Sequence, residues 1–214
     1  MLILGCEAGA ARERAITTAV SAVKRGDLVF IPTESVYAIA TDPFSRRGVA
    51  AIRAAKGQPE GSPLPLMVPS AQTVQGIASG VNSMVQSLMQ AFWPGPMTLL
   101  LPSQPSLAWD LPQGLPVAVR MPIHPLTLAM LERTGPLVVT AANAAGGVPP
   151  RSLEAAIEQL GECAAVALDL GDLAASEMTS TVIDVTGVTA KVVREGALSI
   201  TSLREVLPDL GMPT

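Results

Sequence analysis

The chain has 214 residues, 49% of them hydrophobic, 15% charged and 3% aromatic. Charged residues make up about 25% of an ordinary globular domain, so this surface is short of charge. A mean hydropathy of +0.42 would suit a membrane protein, but the apolar runs are broken by Pro and Gly well short of the roughly 18 residues a spanning helix needs. Disorder and coiled coil are excluded by the same composition. A chain of this length buries about 70% of its unfolded surface and needs no disulfide or structural metal.

The net charge of −4 is unevenly spread: residues 1–133 carry 10 basic and 8 acidic side chains, residues 134–214 carry 4 and 10. Between Lys56 and Arg120 there is no basic residue, and only Glu60 and Asp110 are acidic. Without a basic stripe, weak or no direct nucleic-acid binding is expected. The start, Met1-Leu-Ile-Leu-Gly-Cys6, faintly imitates a lipoprotein cleavage box but lacks a basic leader and an adequate apolar segment. The expectation is a cytoplasmic protein without membrane attachment, with Cys6 and Cys163 as reduced thiols.

Taken in chain order, residues 11–25 carry apolar side chains at helical spacing and end at Gly26, a C-cap signal. Asp27 to Ile31 reads as a short buried strand stopped by Pro32. A helix over 45–55 precedes a strand over 64–68, and two helical patterns follow at 70–79 and 82–92. Strands are expected at 97–101 and 117–121, a helix at 124–134, and a strand at 137–140. The remainder reads as helix 152–160, strands 165–169, 181–185 and 191–194, and a last helix over 201–207. Interleaved strands and helices favour an α/β layer architecture, and about 150 residues per domain make 1–214 a single domain.

The chemistry on offer is limited. His124 is the one histidine. No Ser-His-Asp set announces itself and G-x-S-x-G is absent, one His with two distant Cys makes a zinc site unexpected, and neither common phosphate loop, G-x-x-x-x-G-K or G-x-G-x-x-G, occurs. An enzyme built from this inventory works by positioning reactants and neutralising anionic charge. The candidates sit at strand ends, where α/β sheets present loops to ligands: Thr33, Glu34, Ser35, Tyr37, Lys56, Arg120, Asn143, Ser180, Thr181 and Arg194. Each alone has a structural explanation. Lys56 could complement a helix dipole, Asn143 could shape a turn before Gly146-Gly147, and the arginines could end strands.

Their order carries more information. Pro32-Thr-Glu-Ser-Val-Tyr37, Lys56-Gly57, Trp93-Pro-Gly-Pro96 with Thr98, Val117-Ala-Val-Arg-Met-Pro122 with His124, Thr140-Ala-Ala-Asn143, Ser180-Thr-Val-Ile-Asp184 and Arg194-Glu-Gly196 follow one another. Together they resemble the YrdC-like family of threonylcarbamoyl-AMP synthases over about residues 12–207. The resemblance implies a twisted, open, mixed sheet with flanking helices and a concave ligand face. It implies ATP-dependent formation of L-threonylcarbamoyl-adenylate from threonine and bicarbonate, with Mg2+, and downstream proteins that transfer the product to tRNA. Ser35 and Ser180 match threonine contacts, and Arg120 matches the carboxylate-binding arginine. Lys56, Ser62, Asn143 and Arg194 match nucleotide-binding positions, with Lys56 and Arg120 the catalytic cations.

Four positions depart from the family pattern. The K-x-R reads Lys56-Gly57-Gln58, the S-x-N reads Ala141-Ala142-Asn143, Met67 replaces a histidine and Ala38 a glycine. A lost charge-assisted hydrogen bond weakens binding or rate about 10- to 150-fold. A relative without synthase activity that binds nucleotide or structured RNA is therefore the alternative reading.

Overall fold

The structure is a computed structural model that describes residues 1–112, 114–174 and 179–211. Ten strands form one mixed sheet. They are β1 (Leu2–Gly5), β2 (Val29–Pro32), β3 (Tyr37–Thr41), β4 (Leu66–Met67), β5 (Met97–Pro102), β6 (Pro116–Arg120), β7 (Leu137–Ala141), β8 (Val166–Asp169), β9 (Thr181–Asp184) and β10 (Lys191–Arg194). Their spatial order is β1-β8-β2-β3-β7-β4-β6-β5-β9-β10. The helices are α1 (Ala10–Lys24), α2 (Arg46–Ala55), α3 (Ala71–Ile77), α4 (Ser83–Phe92), α5 (Pro125–Thr134), α6 (Leu153–Leu160) and α7 (Ile200–Val206).

Local chemistry starts the helices. Ser45, Ser70, Asn82, Ser152 and Ser199 each accept a hydrogen bond from the backbone N–H three residues on, at α2, α3, α4, α6 and α7. These orphan N–H groups would otherwise lack partners. α5 begins instead on Pro125, whose missing N–H is harmless at the first helical position. Gly26, at φ +77, follows α1 in the conformation the C-cap signal anticipated.

Two strands were not anticipated. β1 is an edge strand with Leu2 and Ile3 each 51% exposed, so its four residues show no clean inside–outside alternation. β3 is Tyr-Ala-Ile-Ala-Thr, and its alanines weaken the strand signal. The chain resumes pairing after a four-residue bend, with Pro32 opposite Tyr37. Pro32 ends β2 as its last residue rather than stopping it one residue earlier. The expected strand over 64–68 contracts to two residues.

Alternation divides the core between two faces. Phe30, Tyr37, Ile39, Leu66, Leu99, Val119, Val138 and Ile183 pack on one face with residues of α2, α3, α4, α6 and α7. On the other, Val29, Ile31, Ala38, Ala40, Leu137, Val139, Val166 and Leu168 pack against α1 and α5. The small Ala38 and Ala40 let these helices approach the sheet. No buried residue of β5, β6, β9 or β10 belongs to this second cluster, so one face is roofed along the sheet and the other over half of it. No helix among the described residues is long and apolar enough to cross a membrane. Cys6 is buried, Cys163 is exposed, and both are unpaired.

Tyr37 ties β3 to the loop after β8. Its hydroxyl reaches the Gly171 carbonyl at 2.8 Å and Asp169 Oδ1 at 3.2 Å, and accepts from the Leu170 N–H at 2.9 Å. Burial pushes the phenol up to about 12. Tyr37→Phe leaves the Leu170 N–H and the Gly171 carbonyl without this partner and is expected to lower unfolding free energy by about 1 kcal/mol. Urea denaturation checks this, an unchanged midpoint showing that the hydroxyl ties nothing.

Candidate functional site

The unroofed half-face carries the polar residues. Register places Met67 of β4, Arg120 of β6, Thr98 of β5, Val182 of β9 and Arg194 of β10 in one row across the sheet. The alternating neighbours Leu66, Val119, Leu99 and Ile183 of the first four fill the core on the opposite face. Strand periodicity therefore forces this row outward. A register irregularity between Val192 and Arg194 sets Arg194 beside Val182.

Arg120 is the hub of the first group. Its Nε donates to the Gly95 carbonyl at 3.1 Å, and its Nη2 pairs with the Glu34 carboxylate. Burial and the nearby positive charge of Arg194 bring its ordinarily very high pKa down to about 10, so it stays cationic at neutral pH. Ser180 Oγ lies 2.9 Å from Thr98 Oγ1 and accepts from Arg194 Nη2 at 3.2 Å. Arg194 also donates from Nη2 to the Ser180 carbonyl at 2.8 Å. Glu34 with Arg120, and Arg194 with Ser180 and Thr98, thus form two contacting sets that the pairing of Thr98 with Arg120 sets side by side.

Lys56 centres a second group. It is the C-cap of α2, where a cation would complement the helix dipole, yet its ammonium turns into the fold. Nζ donates to the carbonyls of Ala141 and Asn143, both at 2.6 Å. The residue is 4% exposed, and no carboxylate among the described residues pairs with it. Burial pushes its pKa down. A desolvated ammonium held only by neutral carbonyls, with a third N–H uncommitted, attracts an anion. The Asn143 side chain donates to the Ala144 and Gly147 carbonyls at 2.8 and 3.0 Å and so shapes the turn after β7. Gln58, two residues from Lys56, has a buried Oε1 without a hydrogen-bond partner among the described residues.

Arg53 does not replace the absent second cation of the K-x-R segment. Its guanidinium donates to the Ser62 carbonyl at 3.1 Å and to Asp110, through Oδ2 at 3.3 Å and the carbonyl at 3.0 Å. Arg47 is engaged with Asp27 and the Arg25 carbonyl. Ser62 is held through its carbonyl by Arg53 and makes no recorded contact with Lys56, and its hydroxyl has no hydrogen-bond partner among the described residues.

The bend of residues 33–36 links the two groups. Thr33 Oγ1 donates to the Val36 carbonyl at 2.7 Å and closes it. Glu34 touches Arg120 on one side, while the Tyr37 carbonyl accepts from the Ala142 N–H on the other, at 2.9 Å. Ser35 sits between them, half-buried. His124 stays outside the cluster. It is the N-cap of α5, its Nδ1 3.4 Å from Thr127 Oγ1, and burial with the charge of Arg12 lowers its pKa. A cavity of about 310 Å³ lined by Asp27, Arg47, Ala51 and Cys163 includes none of these groups.

Sequence reasoning placed Glu34 and Thr98 within motifs without giving them a role. Their signal was their position beside Ser35 and at a strand start, and only cross-strand pairing brings them to Arg120 and Ser180. Gly95 was equally unmarked: a Cβ there would lie 2.4 Å from the Phe92 carbonyl oxygen.

The fold and these groups can be set beside known proteins. The family model Sua5/YciO/YrdC, described as telomere recombination, matches residues 21–196. The chain belongs to this family. A Mycobacterium tuberculosis relative, provisionally named threonylcarbamoyl-AMP synthase, is 40% identical over 197 residues, 92% of this chain and 90% of its own. The structure of Pyrococcus abyssi Sua5 complexed with L-threonine is 28% identical with a TM-score of 0.85, over 99% of this chain and 62% of that one. This chain thus spans under two thirds of that Sua5. Escherichia coli YciO shares the fold, with a TM-score of 0.78 at 23% identity over 94% of this chain and 98% of that one. As expected for this family, the sheet is mixed, open and flanked by helices.

Gly196 holds Ser180 in place. A Cβ there would lie 2.3 Å from the Thr179 carbonyl oxygen and 2.7 Å from the Ser180 carbonyl carbon, backbone atoms that give little. The Gly196 N–H also donates to Thr181 Oγ1 at 2.9 Å. Gly196→Ala is expected to destabilise the protein by about 1–3 kcal/mol. Chemical denaturation measures this, and wild-type stability would show that the two segments separate freely.

Proposed function

We propose that this chain is a threonylcarbamoyl-AMP synthase that joins L-threonine, bicarbonate and ATP and releases pyrophosphate. The observation that carries the reading is the buried Lys56 ammonium, held by two carbonyls and lacking a carboxylate partner among the described residues, in a family whose relatives bear that name. Those names favour synthesis over a relative that only binds nucleotide or RNA.

In this reading the threonine amine combines with bicarbonate, losing water, and the resulting carbamate oxygen attacks the α-phosphate of ATP. Pyrophosphate leaves, and no side-chain nucleophile is needed. Such reactions are driven by positioning and charge neutralisation. Arg120 takes the threonine carboxylate through its planar fork, with Ser35 and Ser180 placing the rest of the amino acid. Lys56 and Arg194 lie along the phosphates, and Asn143 and Ser62 border the nucleotide. Magnesium enters with ATP, since a hard cation that keeps its waters binds chiefly to substrate phosphates. The donors around Lys56, Asn143 and Arg194 are cationic or neutral and do not fit a Mg2+ of their own. The downstream consumer is a tRNA-modifying threonylcarbamoyl transferase.

Pyrophosphate release that requires threonine, bicarbonate and ATP together is the expected result. Its absence at high enzyme concentration refutes the reading. Gln58→Arg, which returns a cation next to Lys56, is expected to tighten ATP binding about tenfold, as read by calorimetry.

Affinity for ATP should also fall with rising pH. Lys56 titrates below the ordinary lysine value of 10.5 in the folded protein, so the free protein loses this proton before an unfolded chain does. Its burial therefore opposes folding at lower pH, and that penalty fades as pH rises between the folded value and 10.5. Calorimetric titration across this window should show weakening affinity with net proton uptake on binding. A flat profile would exclude Lys56 as the phosphate contact.

A further inference from the structure

Glu34 is the acid that the proposed reaction leaves without a task. It pairs with Arg120, the two side chains being 21% and 16% exposed. Beyond that charge contact, both carboxylate oxygens are sealed from solvent and have no hydrogen-bond partner among the described residues. The structural acids of this fold are different. Asp169 Oδ1 accepts from the Gly171 N–H at 2.9 Å and lies 3.2 Å from the Tyr37 hydroxyl. Asp184 Oδ1 accepts from the N–H and hydroxyl of Thr186 at 2.8 and 2.6 Å. A desolvated carboxylate held by charge alone is poorly satisfied and can be exchanged for another at small net cost.

The guanidinium shows where such an exchange takes place. With Nε committed to the Gly95 carbonyl, a ligand carboxylate can be held in a bidentate manner only by the two terminal nitrogens. Glu34 already occupies Nη2, and two carboxylates on one fork repel each other. We infer that Glu34 is a place-holder carboxylate on Arg120, which the carboxylate of the amino-acid substrate displaces, and that this exchange sets amino-acid affinity. The inference rests on the reading of Arg120 given under Proposed function. It keeps Arg120 neutralised beside Arg194 in both states. Because Glu34 adjoins Ser35 within the bend closed by Thr33, its departure also repositions that hydroxyl.

Calorimetric titration of L-threonine into the wild-type protein and into Glu34→Gln tests this. The variant should bind threonine about tenfold more tightly, the equivalent of one partly buried ion pair. L-threoninol, which lacks the carboxylate, should bind both proteins equally. If Glu34→Gln does not fold, Glu34→Asp, with its carboxylate drawn back by one methylene, should tighten threonine binding in the same direction. Unchanged or weaker threonine binding in the folded variant overturns the inference, because Glu34 would then be holding Arg120 in position for the substrate. Threonine-dependent pyrophosphate release by the wild type separates the two readings. Release without tighter binding in the variant overturns the place-holder alone; no release and no threonine binding overturns both.

Discussion

The unequal covering of the sheet is the constraint on which the rest of the molecule depends. One face is packed against five helices across its width, whereas the other meets α1 and α5 only over the β1-β8-β2-β3-β7 half. A strand alternates its side chains between faces, so every β5, β6 and β9 residue not in the core points to the unroofed half. Arg120 and Thr98 are there for that reason. The scarcity of charge then acquires a structural meaning. The stretch from 57 to 119, which holds no basic residue, sends Leu66, Val74, Val85, Leu88, Leu99 and Val119 to the fully roofed face, and the cations bounding it, Lys56 and Arg120, fall at the candidate site.

Those cations are held in a particular electrostatic state. Lys56 is stripped of water and given two carbonyl oxygens, Arg120 has one carbonyl and one carboxylate, and Arg194 leans on Ser180. Groups fixed by backbone contacts need little reorganisation when an anion arrives, which is the condition for effective electrostatic catalysis. Desolvation of Lys56 works against folding and in favour of anion binding.

The departures from the family pattern are now physical rather than textual. Gln58 puts a buried oxygen without a hydrogen-bond partner among the described residues where the K-x-R pattern has a cation, and Arg53 is already bound to Ser62 and Asp110. Ala141 contributes through its carbonyl, which Lys56 uses whatever the side chain. Met67 lies in the row with Arg120 and packs against the α1–α5 cluster, so an apolar residue there joins the roofed half to the open one.

Much of the fold was legible in the sequence because it is governed by local rules. Helical periodicity, the Gly26 stop and the short apolar runs located all seven helices and eight of the ten strands to within a few residues. β1 and β3 escaped because an exposed edge and an alanine-rich segment show neither clean alternation nor strong strand preference. The order of motifs likewise marked Ser35, Lys56, Arg120, Asn143, Ser180 and Arg194 as candidates. Only the tertiary structure decided how these residues are engaged. That Lys56 turns from its helix end to Ala141, that Arg53 is unavailable, and that Glu34 covers Arg120 are contacts across 85, 57 and 86 residues. Contacts over such separations are set by sheet register and by which helices roof which face, and no local pattern in the chain encodes them.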